Sequence, residues 1–180
     1  MVMAEATNHY FKHLGVSDGL SQVCIPSIYQ DELGAVWLGT TEGLNRYNGK
    51  DVKVFQPSES NHGLTNNEIN ELCGDKNGRM YIRSGNDLIK LDIYTEQFTC
   101  LRQKGVYGLF CKKDTLWVSC ADGIYYYTGQ GTELTFFARV QKGFVGRALY
   151  VDKETVWVVT RKYLVAISRE AVSYTHLRAH

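Results

Sequence analysis

Val36-Trp37-Leu38-Gly39-Thr40-Thr41-Glu42-Gly43-Leu44-Asn45-Arg46-Tyr47 is two short strand-like runs joined by a small polar turn. The plan recurs three times. Met80-Tyr81-Ile82-Arg83 runs on to Asp87-Leu88-Ile89-Lys90-Leu91, Leu116-Trp117-Val118-Ser119 to Gly123-Ile124-Tyr125-Tyr126-Tyr127, and Val156-Trp157-Val158-Val159-Thr160 to Tyr163-Leu164-Val165-Ala166-Ile167. The anchor aromatics Trp37, Tyr81, Trp117 and Trp157 are spaced by 44, 36 and 40 residues. A period near 40 with several short strands per unit is the signature of a β-propeller.

Working outward from the first unit, Gly19-Leu20-Ser21 opens it and Ile25 to Gln30 reads as its first strand. Asp31-Glu32-Leu33-Gly34 is a turn, because Asp can bond its own backbone and Gly accepts positive φ. Val36 to Thr40, Leu44 to Tyr47 and Val52 to Phe55 follow as strands. Asn48-Gly49 suits a type I′ hairpin turn. Unit two repeats the order: Gly63-Leu64-Thr65, an inner strand Ile69 to Cys73, the turn Asp75-Lys76-Asn77-Gly78, and an outer strand at Gln97-Phe98-Thr99. Unit three runs from Val106 to about Phe137 with a shortened turn at Lys113-Asp114, and unit four starts near Gly146 and is expected to end after its third strand.

The expected fold is therefore all-β: a partial propeller of about four blades, each a four-stranded antiparallel sheet, forming an open arc. The blades fall at about 19–56, 63–99, 106–137 and 146–171 of a propeller region spanning 9–171. Residues 1–8 read as a leader remnant or disordered N-terminus. His9 to Leu14 alternates like a strand able to complete a final blade. Four blades leave two apolar flanks open, which invites aggregation. Residues 172–180, Val-Ser-Tyr-Thr-His-Leu-Arg-Ala-His, break the repeat and resemble a translated sequencing adapter, so His176 and His180 are not read as ligands.

Bulk numbers exclude several classes. With 20 Lys and Arg against 19 Asp and Glu, no charge excess points to nucleic acid or an anionic membrane. No apolar run reaches the roughly 18 residues of a membrane helix. The five cysteines, Cys24, Cys73, Cys100, Cys111 and Cys120, contain no C-x-x-C pair and no zinc spacing. Their odd number leaves one thiol unpaired, and sequence assigns no pairing. Cys73 and Cys111 fall on inner strands, where small apolar residues are expected. Asp75 to Gly78 resembles the start of a calcium loop but lacks the downstream acid, so it reads as a turn. His9, His13 and His62 belong to no Ser/His/Asp set. No catalytic residue, metal site or cofactor is expected.

The repeat residues have scaffold roles. A Trp on the second strand buries on the order of 150–250 Å² between blades. Gly39 allows close approach of a neighbour, and Gly43 and Gly123 restart the third strand after tight turns. A binding surface is sought instead in the loops at one propeller face. These hold Thr41-Glu42, Arg83-Ser84-Gly85-Asn86, Ala121-Asp122, Arg161-Lys162 and the segment Pro57 to Thr65. Arg83, Asn86, Arg161 and Lys162 are the candidate ligand-binding residues, able to hydrogen-bond hydroxyls, sulfates or carboxylates. Tyr125-Tyr126-Tyr127 could stack a sugar, though alternation in a strand favours inter-blade packing.

Leu20-Ser21, Ser27 to Thr40 and Gly43 to Tyr47 closely resemble the two-component regulator propeller repeat. Phe11 to Ser21 is similar to the start of the mature sensor region in that family. Unit two departs from it, with Tyr81-Ile82-Arg83-Ser84 where the family has Trp-x-Gly-Thr, and units three and four also lack the Gly-Thr pair. The resemblance implies the periplasmic sensor region of an inner-membrane hybrid histidine kinase and response regulator. It further implies a glycan-derived oligosaccharide ligand, the remaining blades and sensor domains of the parent chain as partners, a homodimer in the parent, and control of a phosphorelay. The 180 residues contain no kinase motif, so the fragment itself is not expected to be an enzyme. The alternatives are a propeller scaffold for protein–protein or dimer contacts, and part of a polysaccharide lyase or glycosidase.

Overall fold

Each sequence unit folds into its own four-stranded antiparallel meander in the computed structural model, which describes residues 12–58, 63–139, 146, 148–153, 155–160, 163–168 and 174–178. Blade one comprises β1 (Ser27–Gln30), β2 (Val36–Thr40), β3 (Gly43–Tyr47) and β4 (Val52–Phe55). Blade two comprises β5 (Ile69–Gly74), β6 (Arg79–Ser84), β7 (Asp87–Asp92) and β8 (Gln97–Arg102). Blade three comprises β9 (Val106–Lys112), β10 (Thr115–Cys120), β11 (Gly123–Tyr127) and β12 (Thr135–Ala138). Blade four comprises β13 (Ala148–Val151), β14 (Thr155–Val159), β15 (Tyr163–Ser168) and β16 (Tyr174–Arg178). Apart from a 3-10 turn at Val16–Asp18, the described residues form no helix, and none could cross a membrane as one.

The alternation of side chains gives every blade two faces of different character. On β2 and its equivalents the aromatic anchor points to one face and its neighbours to the other. Trp37 and Phe55 of blade one join Leu72, Met80, Ile82, Ile89 and Leu91 of blade two in one cluster. Tyr81 and Leu88 of blade two join Leu109, Leu116 and Val118 of blade three. Trp117 of blade three joins Val156, Val158, Val165 and Ile167 of blade four. An aromatic forward face thus packs on the aliphatic backward face of the next blade, three times in succession. Trp37 and Tyr81 are wholly buried and Trp117 nearly so. Trp157 carries the same position on the fourth blade but is only half-buried, since among the described residues no further sheet packs over it.

Gly39 shows why the second strand carries a residue without a side chain. A Cβ there would lie 2.8 Å from Ile69 Cγ2 and 2.9 Å from its carbonyl oxygen, too close for any rotamer to relieve. Gly43 turns the chain with φ +121°, and a Cβ would meet the Phe55 carbonyl at 2.7 Å. At Gly123 a Cβ would meet the Ala138 carbonyl at 2.6 Å.

Three expectations are corrected. Asn48 does not adopt the positive φ that a type I′ turn requires. Tyr47 pairs with Val52, leaving a four-residue loop in which Asn48 Oδ1 accepts the Lys50 and Asp51 amides. The Asn side chain caps the loop, which removes the need for left-handed backbone at that residue. Unit four does not end after its third strand, because Tyr174–Arg178 pairs antiparallel with Tyr163–Ile167. The outer edge of β15 offers unpaired N–H and C=O groups, and backbone pairing is indifferent to which residues take them. Lys12, His13 and Leu14 form no strand; residues 9–11 of that expected segment lie outside the described residues. Lys12 instead donates to Tyr47 Oη at 2.9 Å.

Candidate ligand-facing rim and blade interfaces

Turns between second and third strands meet the incoming connections along one rim. Gly43 N donates to Asn67 O, Gly85 N to Glu68 O, Val106 N to Asn86 O and Ala121 N to Gly105 O, each within 3.0 Å. Buried hydroxyls fix the same junctions. Thr40 Oγ1 lies 3.0 Å from Ser21 Oγ, and Ser84 Oγ bonds both the amide and the carbonyl of Asn66. Ser119 Oγ donates to Gly146 O. Asn45, fully buried, accepts from Ser21 N and donates to Ser21 Oγ. These bonds make the rim a rigid platform. Glu42, Asn66, Asn67, Glu68, Asn86 and Asp122 stand exposed on it.

Arg83 is not one of the exposed side chains. It lies two residues after Tyr81, at the position Gly39 holds in blade one, so it points forward to blade three. Its Nε donates to Glu71 Oε2 at 3.2 Å and its Nη1 to the Gly85 carbonyl at 3.1 Å. The same Glu71 oxygen accepts the Leu109 amide at 3.1 Å. Arg83 therefore braces an interface through a half-buried carboxylate. Burial raises the Glu71 carboxyl above its ordinary value, against the opposing pull of Arg83 and the Leu109 amide. Asn86 is exposed on the β6–β7 turn, where sequence placed it. Arg161 and Lys162 lie outside the described residues.

Asp122, on the β10–β11 turn, takes Arg102 Nη2 at 2.7 Å and Tyr125 Oη at 2.8 Å. The Arg102 guanidinium covers the Tyr125 ring at 4.6 Å. Partial burial would raise the Asp122 carboxyl, but the bonds from Tyr125 and Arg102 outweigh it and hold it below the usual range. The triple tyrosine is spent on packing. Tyr127 is buried edge-on to Tyr81 across the blade two–three interface, Tyr126 packs on Trp117, and Tyr125 on Phe136. His13 is exposed, as expected of a solvent-facing residue.

The signal that sequence reasoning missed is the run Asn66-Asn67-Glu68. It sits just past the Pro57–Thr65 segment and reaches the rim beside Asn86. The turn carboxylates also do more than cap turns. Asp31 Oδ1 accepts the Leu33 and Ala35 amides, and its Oδ2 accepts the Trp37 indole. Asp75 takes the Asn77 amide, Arg79 Nε and Tyr81 Oη, which occupies the oxygens a calcium loop would offer.

A cavity of about 360 Å³ lies on the forward face of blade four, lined by Leu149, Tyr150, Trp157, Val159 and Leu164. Its lining is almost wholly apolar, so it lacks the donors and acceptors that fix a polar ligand. It matches the face that each earlier blade presents to its successor.

Residues 19–42 match the family model described as two component regulator propeller. A stretch of 53 residues is 40% identical to histidine kinase P4 of Formosa agariphila, covering 29% of this chain and 4% of that protein. Among solved structures, the chain is similar to the extracellular domain of a putative hybrid two component system from B. thetaiotaomicron. That likeness has 22% identity and TM-score 0.79, over 92% of this chain and 26% of that one. A second such extracellular domain from the same organism gives 21% identity and TM-score 0.69, over 90% and 23%. The chain thus spans about a quarter or less of these proteins. It is an open arc of propeller blades, and residues 19–42, in and just before its first blade, are similar to the two component regulator propeller repeat.

Proposed function

We propose that this chain forms part of the extracytoplasmic ligand-sensing propeller of a hybrid two-component regulator. It reads glycan-derived oligosaccharides and governs a histidine kinase in the same protein. The observation that carries this reading is the family match at residues 19–42, on a blade whose rim is braced by buried hydrogen bonds. The similarity to a histidine kinase and to extracellular domains of hybrid two component systems supports it. The rim fits the ligand class. Asn66, Asn67 and Asn86 offer amide donors and acceptors, and Glu68 offers a carboxylate, the groups that hydrogen-bond sugar hydroxyls. In this reading the sensor lies in the periplasm of an inner-membrane protein and works as a homodimer. The forward face of blade four receives the aliphatic face of a further blade.

In this reading the blades bind ligand and the kinase transfers phosphate. The test is phosphate incorporation into the parent protein in membrane vesicles, with and without a panel of oligosaccharides. A ligand-dependent change in labelling is expected, and unchanged labelling with every oligosaccharide would contradict glycan sensing.

A further inference from the structure

Blades two and three are joined at their innermost strands by two thiols. Cys73 lies on β5 opposite Tyr81, on the forward face of blade two. Cys111 lies on β9 opposite Leu116, on the backward face of blade three. The two faces oppose each other in one apolar cluster, and Cys73 and Cys111 both pack against it. Their sulfurs are 2.8 Å apart, and both residues are free thiols of intermediate exposure. A disulfide sulfur pair sits at about 2.05 Å, so closure needs a movement of under about 1 Å. The other three thiols are placed differently. Cys24 is exposed, Cys120 is buried, and Cys100 packs in the cluster between blades one and two.

We propose that Cys73 and Cys111 are a redox site: they form an inter-blade disulfide by exchange with a small-molecule or protein disulfide. Cys111 loses its proton to solvent and its thiolate attacks one sulfur of the oxidant, releasing one thiol and leaving a mixed disulfide on Cys111. Cys73 then loses its proton, and its thiolate attacks the Cys111 sulfur and expels the second thiol. Two cysteine thiols are oxidised and one oxidant disulfide is reduced to two thiols. Burial raises the Cys73 thiol well above its ordinary range, which makes it the poorer first nucleophile and makes closure faster as pH rises. The bond ties the first strand of one blade to the first strand of the next, where only packing and a few hydrogen bonds otherwise hold them. An oxidising compartment would favour the closed form and a reducing one the open dithiol.

The experiment uses the 180-residue chain in dilute solution, with its strand content checked by circular dichroism. It is treated with oxidised glutathione, acid-quenched, alkylated and digested with trypsin under non-reducing conditions. The expected product joins the peptides covering residues 54–76 and 105–112, with the loss of two hydrogens, and the melting temperature rises by about 10 °C until reductant is added. C111S should abolish both changes. A variant with Cys24, Cys100 and Cys120 replaced by Ala, keeping only this pair, should show them undiminished. Recovery of Cys73 and Cys111 as alkylated thiols from the folded, oxidised chain would overturn the proposal, as would their linkage to other cysteines.

Discussion

The indole nitrogen of Trp37 donates to Asp31 Oδ2 at 2.8 Å, joining the turn before the second strand to the aromatic that anchors the blade. Blade four repeats the bond, with Trp157 Nε1 2.9 Å from Asp152 Oδ2. Blade two keeps a weaker form, with Tyr81 Oη 3.3 Å from Asp75 Oδ2. The carboxylate thus holds its own hairpin with one oxygen and orients the inter-blade ring with the other. Trp37→Phe keeps most of the ring but leaves a buried carboxylate oxygen without its donor. The expected cost is about 1–3 kcal/mol, read by urea denaturation. Stability equal to the parent's would show that the bond is incidental.

Position along the arc should set the value of the same residue. Trp37 is covered by blade two, whereas Trp157 faces an open flank. Trp37→Ala should cost about 3–5 kcal/mol, and Trp157→Ala clearly less. Equal losses would mean that the forward face of blade four is covered after all.

Glu71 gives a pH dependence. Its folded-state value is raised, mainly by burial, above the ordinary 4.5. Its contribution to stability is therefore full below the unfolded value and is lost as pH climbs through the folded one. Glu71→Gln keeps an oxygen for Arg83 and the Leu109 amide without that loss. The variant's melting temperature should gain on the parent's as pH climbs upward from the ordinary carboxyl range. A gap that moves in the parent's favour over that climb would contradict the burial argument.

The two flanks should make the chain self-associate. Tyr150 and Val159 on blade four are 56% and 46% exposed, and Ile28 and Val54 on blade one are 67% and 39% exposed. Such faces are sheet surfaces that the fold elsewhere covers. Sedimentation velocity should show concentration-dependent oligomers that Val159→Lys reduces. A monodisperse parent chain at high concentration would refute this.

The architecture was legible because the repeat is written in residues with strong local meaning. Val36–Thr40 and Val52–Phe55 are the strands expected, and the anchors lie where a 40-residue period puts them. What was hidden depends on long-range packing. Arg83 reads as a loop residue in sequence, but alternation from Tyr81 turns it into the interface, where Glu71 meets it from another strand. Asn48-Gly49 carries a hairpin motif, yet strand register made the loop longer than two residues. The approach of Cys73 and Cys111, 38 positions apart, follows from blade stacking alone. The candidate rim was half visible: Asn86 lies on a turn that sequence marks, while Asn66, Asn67 and Glu68 reach it only through a connection whose path the fold sets.

The most direct test of glycan sensing is calorimetric titration of the complete sensor region with a panel of oligosaccharides. The account predicts saturable heat with at least one of them, lost or weakened when Asn66, Asn67 and Asn86 are replaced together by Ala. No heat with any oligosaccharide, from a sensor region that nevertheless forms a stable dimer, would contradict it and leave the propeller as a scaffold.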